Sequence, residues 1–278
     1  MKFGVYIFPT EYAINVMDLG RALEERGFES LFVTEHSHIP TSRRTPWPGG
    51  ADLPEEYKHI LDPFVALGAV AAATSRLLVG TGICLVVERD PIVTAKEVAT
   101  LDLLSGGRFL FGIGGGWNRE EMENHGTDPK TRFRLMRERV LAMKAMWTQE
   151  AAEFHGEFVD FDPLWSWPKP VQQPHPPVML GGNGAGVLDR VLEYGDGWMP
   201  NAGRGRVKEG MAELARRAEE QGRGPIPVSI FGARPEPQTV DDYLAMGVER
   251  CLFAVPSAPA DEVLPRLDRY AELAAKFA

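Results

Sequence analysis

The chain is short of cysteine, of positive charge and of long apolar runs. Only Cys84 and Cys251 occur among its 278 residues. Two cysteines exclude a disulfide-dense secreted scaffold and provide no CxxC spacing for zinc or dithiol chemistry, so a reducing, cytoplasmic setting is expected. Lys and Arg number 30 against 39 Asp and Glu, a formal charge of −9. That sign is opposite to the footprint of a general nucleic-acid binder, and an anionic ligand would need a local basic site. The longest nearly unbroken apolar run, Phe64 to Ala73, is about half of the ~20 residues that cross a bilayer. The N-terminus passes from Lys2 through a short apolar run into Pro9-Thr10-Glu11, which is not the shape of a leader. Neither a membrane span nor a signal peptide is expected. Two nucleotide fingerprints are also missing. Gly112 and Gly114 are followed by Trp117 where GxGxxG needs its third glycine, and there is no Walker A sequence.

What is present is an ordinary globular composition, 44% hydrophobic and 25% charged, with a regular alternation of strand and helix patterns. Strands are expected at Phe3 to Phe8, Leu31 to Thr34, Leu77 to Leu85, Phe109 to Ile113, Val178 to Leu180, Trp198 to Met199, Val228 to Phe231 and Cys251 to Ala254. Helical spacing fills Asn15 to Arg26, Pro63 to Thr74, Thr94 to Leu104, Thr131 to Gln149, Ala185 to Tyr194, Val207 to Gln221, Val240 to Met246 and Ala260 to Ala275. Eight βα units in one chain of this length predict an α/β fold, a (β/α)8 TIM barrel forming a single domain over residues 1–278. A doubly wound open sheet is the competitor, disfavoured by the missing dinucleotide fingerprint.

Two insertion segments break the rhythm, and long connections in compact domains are commonly functional. Ser37 to Asp62 follows the second strand and carries Arg43, Arg44 and Trp47; it is expected over the carboxyl-terminal rim, where barrel active sites lie. Ala152 to Pro177 precedes the fifth strand and contains a hairpin pattern around Gly156, then Trp165 and Trp167. It reads either as an ordered cover or as an aromatic substrate wall.

Several constellations could carry chemistry. Glu35-His36-Ser37-His38 sits where the second strand ends, and alternation in an extended chain sends His36 and His38 to one side. Imidazoles there can move protons near neutral pH. The same HxH spacing serves metal-dependent hydrolases, but the ends of strands five to eight offer no further His, Asp or Lys ligand. An equally simple alternative has one histidine capping a loop and the other solvated. Gly80 and Gly82 in the third strand imply a close approach by a backbone or a flat ligand. Gly181-Gly182-Asn183-Gly184 leads into a helix and presents free backbone N–H groups, a generic phosphate cradle to which Arg204 could add charge. Arg204 and the Arg43-Arg44 pair could equally be solvated surface.

The succession MKFGVYIFP, LFVTEHSHIPTSRRTPWPGG, VGTGICLVVERDP, ATLDLLSGGRFLFGIGGGW, PVMLGGNG and YGDGW resembles the luciferase-like monooxygenase superfamily, and within it the coenzyme F420-dependent oxidoreductases. The resemblance implies a barrel holding a deazaflavin at its carboxyl-terminal rim, with hydride exchanged between F420 and a small organic substrate. It implies a non-prolyl cis peptide behind the ring, matched here by Gly82–Ile83, and it places Glu35 and His36 beside the ring. His36, or else His38, would handle the accompanying proton. Gly181, Gly182, Asn183 and Gly184 match the phosphate loop, and Arg204 a basic phosphate contact. A homodimer is implied as well. Where sugar-phosphate dehydrogenases of this group carry a catalytic glutamate, this chain has Trp117; a nonpolar substrate, or reduction of an activated double bond or carbonyl, becomes the expectation. The rivals are an FMN-dependent monooxygenase fed by a separate flavin reductase and a non-catalytic F420-binding carrier.

Overall fold

The computed structural model describes residues 1–50 and 52–277. The chain runs β1 (Lys2–Ile7), α1 (Val16–Glu25), β2 (Ser30–Val33), α2 (Pro63–Ala73), β3 (Leu78–Thr81), α3 (Pro91–Ser105) and β4 (Phe109–Ile113). It continues with α4 (Arg119–Asn124), α5 (Arg132–Thr148), β5 (Ala152–His155), β6 (Asp160–Leu164), β7 (Val178–Gly181), α6 (Val187–Tyr194) and β8 (Gly197–Met199). Last come α7 (Val207–Glu220), β9 (Ser229–Phe231), α8 (Pro237–Ala245), β10 (Arg250–Ala254) and α9 (Ala260–Ala274).

Eight strands pair in parallel in the order β8-β7-β4-β3-β2-β1-β10-β9. The two ends of that order are joined by single bridges, Trp198 to Val228 and Asn201 to Phe231, which makes the sheet a nearly closed (β/α)8 barrel. Such strands are covered on both faces and therefore read as apolar runs; all four residues of β2 are buried. Phe32, Leu110, Met179, Met199 and Leu252 fill the barrel interior, and a larger apolar layer joins strands to helices. Gly80 owes its lack of a side chain to this interior. A Cβ there would lie 2.6 Å from the Phe32 ring, so the close neighbour is a protein aromatic and not a flat ligand.

The helices start and stop where the chain supplies caps. Asp90 accepts from the Ile92 and Val93 N–H groups at 3.0 and 2.9 Å, Pro91 occupies the first turn, and Gly106 closes α3 at φ 69°. Differences from the sequence expectation are local. The third strand ends at Thr81, not Leu85, because the chain turns there and only Cys84 bridges back, to Ile113. Two short helices were not foreseen, a 3₁₀ turn at Glu55–Lys58 and α4. Residues 152–177 contain the expected hairpin, β5 with β6. They connect a helix to a strand, so they lie at the amino-terminal end of the barrel, where Gln172 bonds Asp102 and the Phe109 carbonyl. Trp165 and Trp167 are exposed there; the aromatic-wall reading of this segment is corrected. Among the described residues, no helix is long and apolar enough to cross a membrane.

Candidate active site

At the carboxyl-terminal ends of the strands lies a chamber of about 640 Å³. Its floor is glycine-rich, with Gly82, Ile83, Gly114, Gly181 and Gly182, and its walls are Tyr6, Phe8, Trp47, Tyr57, Trp117 and Phe231. Of these aromatics Trp47 and Tyr57 come from the earlier insertion, residues 37–62, and none from the later one. The Gly82–Ile83 peptide is cis. Ile83 rises between two glycines: a Cβ on Gly114 would meet its Cδ1 at 2.0 Å, and one on Gly181 its Cγ2 at 2.8 Å. The absent side chains make room for the isoleucine itself, which lines the chamber between them.

His36 follows the end of β2 and faces the chamber while almost fully buried. Its Nδ1 lies 2.6 Å from Oε2 of Glu121, whose side chain is wholly buried. Oε1 of the same carboxylate accepts the Ser37 N–H at 3.0 Å. On the other side of the ring, the Trp117 indole N–H donates to Nε2 at 3.2 Å. An acceptor at Nε2 and a donor at Nδ1 define one neutral tautomer, held from both ends. Tyr57 packs 5.3 Å from the same ring, and burial raises its phenol above the ordinary value. Arg43, at φ 49°, stacks over Trp117 at 5.7 Å, whereas Arg44 reaches Glu123 on α4 at 2.7 Å.

Glu35 borders the chamber, but its carboxylate is engaged elsewhere. It accepts from the Leu85 N–H and from Arg89 Nε, both at 2.5 Å, and Arg89 also binds Asp62 and Glu97. His38 does not line the chamber. Its Nδ1 lies 2.8 Å from Ser37 Oγ, and Asn124 of α4 reaches its Nε2 at 2.8 Å. The strict alternation that would have paired it with His36 stops with β2 at Val33.

Gly181, Gly182, Gly184 and Arg204 line the chamber. Asn183 joins the two loops beside them, accepting from the Asn201 N–H at 2.9 Å and donating to the Arg204 carbonyl at 2.7 Å. Gly182 and Gly186 have φ of 104° and 71°, and α6 begins without a side-chain cap; its first N–H, that of Val187, donates to the Gly184 carbonyl at 3.2 Å. Close by, Arg190 and Arg132 stack on Phe133 with Cζ at 4.0 and 4.5 Å from the ring centre. Their hydrogen bonds go to the Ala185 and Pro129 carbonyls and not to carboxylates. Burial lowers both guanidinium pKa values, the direction that an arriving anion would reverse.

Sequence reasoning missed Glu121, the partner of His36, because α4 was missed. The signal was there: Asn118 followed by Glu120 and Glu121 is a helix start with an acidic first turn. Tyr57 was missed for want of any periodic pattern in its loop.

A parallel eight-stranded barrel with an imidazole-bearing chamber at its carboxyl-terminal rim defines the class, a (β/α)8 barrel with its site in the βα loops. A family model for luciferase-like monooxygenases matches residues 1–235, and the chain belongs to that family. An uncharacterized protein of Mycobacterium tuberculosis (strain ATCC 25618 / H37Rv) is 39% identical over 283 residues, all of this chain and 99% of that one. An F420-dependent glucose-6-phosphate dehydrogenase of Kineococcus radiotolerans is 31% identical over 209 residues, 74% of this chain and 58% of its own. An FMNH(2)-dependent dimethylsulfone monooxygenase of Pseudomonas putida is 34% identical over 136 residues, 48% of this chain and 37% of its own. The crystal structure of the monooxygenase RslO1 from Streptomyces bottropensis superposes with a TM-score of 0.84 at 21% identity, with full coverage of both chains, and shares the fold. The family thus includes relatives dependent on either redox carrier.

Proposed function

We propose that this protein is an F420-dependent oxidoreductase acting on a small organic substrate, with His36 as the group that moves the accompanying proton. The observation that carries the reading is His36 itself, its Nδ1 fixed by buried Glu121 and its Nε2 turned to an aromatic chamber. When bound, the deazaflavin supplies a carbon that gives or accepts hydride. The residues present fit such a group. Ile83 between Gly114 and Gly181 offers a flat apolar support, and Gly181 to Gly184, with Arg204, suit a phosphate. Arg132 and Arg190, without carboxylate partners in a chain of charge −9, favour a carrier with more than one anionic group, as F420 has and FMN has not. Glu35, tied to Arg89, braces the rim from behind. His38 is assigned to the α4 contact and not to proton transfer.

Chemically, a substrate hydroxyl would donate to Nε2 in place of the Trp117 indole, and in the reducing direction a substrate carbonyl oxygen would accept from the protonated Nε2–H. In oxidation Nε2 takes the hydroxyl proton, and the Glu121 carboxylate stabilises the imidazolium through Nδ1; in reduction the same proton is returned. The walls of Phe8, Trp47, Tyr57 and Trp117 suit a nonpolar or aromatic substrate and exclude water. Titration with F420 and with FMN, followed by absorbance and fluorescence, tests the cofactor: F420 should bind, and binding of FMN alone would overturn the reading. The FMN-dependent relative keeps a monooxygenase as the second reading, for which oxygen consumption with reduced FMN is the assay. A carrier without turnover would bind F420 yet show no rate that His36→Ala removes.

A homodimer belongs to the same proposal. Helix α2 carries no charged residue, and α2 and α3 expose Val65, Val93, Leu103 and Leu104 on adjoining helices, a surface suited to a second copy. A cytoplasmic location accords with the free, buried state of both cysteines.

A further inference from the structure

Behind the His36–Glu121 pair lies a second carboxyl group that the proposed chemistry does not use. Glu88 sits between β3 and α3, with its N–H bonded to the Leu85 carbonyl at 2.8 Å. Its Oε1 is buried and has no hydrogen-bond partner, and a Cβ on Gly116 would come within 3.6 Å of that oxygen. The turn that ends in Trp117 therefore closes over it, and Glu88 does not line the chamber. Its carboxyl group is within hydrogen-bonding reach of Glu121.

The surrounding charges do not neutralise it. Glu35 faces it from the end of β2 and adds negative charge. Arg89, its chain neighbour, is taken up by Glu35, Asp62 and Glu97. Arg139 of α5 donates through Nη1 to the Val86 carbonyl at 2.8 Å; its charge attracts Glu88, but its buried Nε and Glu88 Oε1 each lack a hydrogen-bond partner. Two ionised carboxylates have only acceptors and cannot share a hydrogen bond; one of the two must carry a proton. Glu121 already accepts from two donors, His36 Nδ1–H and the Ser37 N–H, which stabilise it as the anion. The proton therefore belongs to Glu88.

We propose that Glu88 is a neutral carboxylic acid that donates a hydrogen bond to Glu121, and that it is a positioning residue for His36. It keeps the group behind the imidazole at a single negative charge and turns the carboxylate toward Nδ1. Burial first, then the charges of Glu121 and Glu35, push its pKa up to about 9. Loss of the proton above that value would place a second negative charge behind Glu121 and loosen the grip on His36. The importance of Glu88 for turnover rests on the proposed role of His36, but its protonation state does not.

The test is spectroscopic and uses the whole protein without cofactor. Infrared titration of the wild type should show the carbonyl stretch of a protonated carboxylic acid at neutral pH, disappearing near pH 9. Histidine-labelled NMR should show the His36 ring resonances shifting with the same midpoint. Glu88→Gln should lack both the band and the alkaline shift while keeping the His36 Nδ1–H signal, since an amide can also donate to Glu121. Glu121→Gln should move the midpoint of the Glu88 band to lower pH, a comparison that decides the matter even if Glu88→Gln does not fold. Absence of the band at neutral pH, an alkaline His36 shift that survives Glu88→Gln, or an unmoved midpoint in Glu121→Gln would each overturn the proposal. None of these readouts depends on F420 binding, so failure here and failure of the cofactor reading are separate results.

Discussion

A side chain that takes and returns a proton needs one nitrogen at work and the other held still, and His36 has its Nδ1 held by Glu121 at 2.6 Å. Removing the imidazole should cost about 10²- to 10⁴-fold in turnover, far more than it costs in F420 affinity. Steady-state rates of His36→Ala beside a binding titration check this; a variant that turns over normally would place the proton elsewhere. Glu88 offers a stability prediction with a definite sign. It ionises near its ordinary 4.5 in the unfolded chain and at about 9 when folded. The stability tied to its neutral form is thus whole below about pH 4.5 and is lost as pH rises to about 9. Glu88→Gln keeps a neutral group, so its urea midpoint should gain on the wild type across that window, with the largest gain at the alkaline end. Equal midpoints at both ends would mean Glu88 is ionised in the fold. Residue identity was the harder part to read from sequence. His36, Gly82 and the Gly181 to Gly184 loop stood out by pattern and Ile83 through the family resemblance, but the direction of the Glu35 carboxylate, turned to Arg89, depends on a partner 54 residues away.

At the scale of elements, the barrel strands were legible because parallel strands covered on both sides leave short apolar runs punctuated by Gly and Pro. The third strand overran because Gly82 to Leu85 continues the apolar pattern after the chain has turned at Thr81. Helix α4, only six residues long, offers too few turns for periodicity and was legible only through its cap. His38 was misplaced for a related reason, since alternation holds only while the strand lasts. Two substitutions test the framework. Asp90→Ala removes the side-chain acceptor for Ile92 and Val93 and should cost about 1 kcal/mol in urea unfolding. Gly112→Ala would place a Cβ 2.0 Å from the Thr81 carbonyl oxygen, and a cost of about 1–3 kcal/mol is expected from overpacking. A neutral Gly112→Ala would show that β3 and β4 can move apart freely.

For the whole molecule, surface and charge bear on association and on the cofactor. Val65 on the uncharged helix α2 is 76% exposed and Leu104 on the adjoining α3 73%, and the proposed dimer would cover them. Analytical ultracentrifugation should find the wild type dimeric and Val65→Glu with Leu104→Glu monomeric; a monomeric wild type would refute the dimer. Charge distribution bears on the cofactor, because the acidic chain keeps Arg132 and Arg190 together on the Phe133 ring, and Arg190 and Arg204 both line the chamber. The account is tested most directly by a crystal structure of the protein grown with F420. It should show the deazaflavin ring over Ile83, its phosphate at Gly181 to Gly184 and its reactive face toward His36. A chamber that excludes the deazaflavin, or a ring bound away from His36, would contradict it.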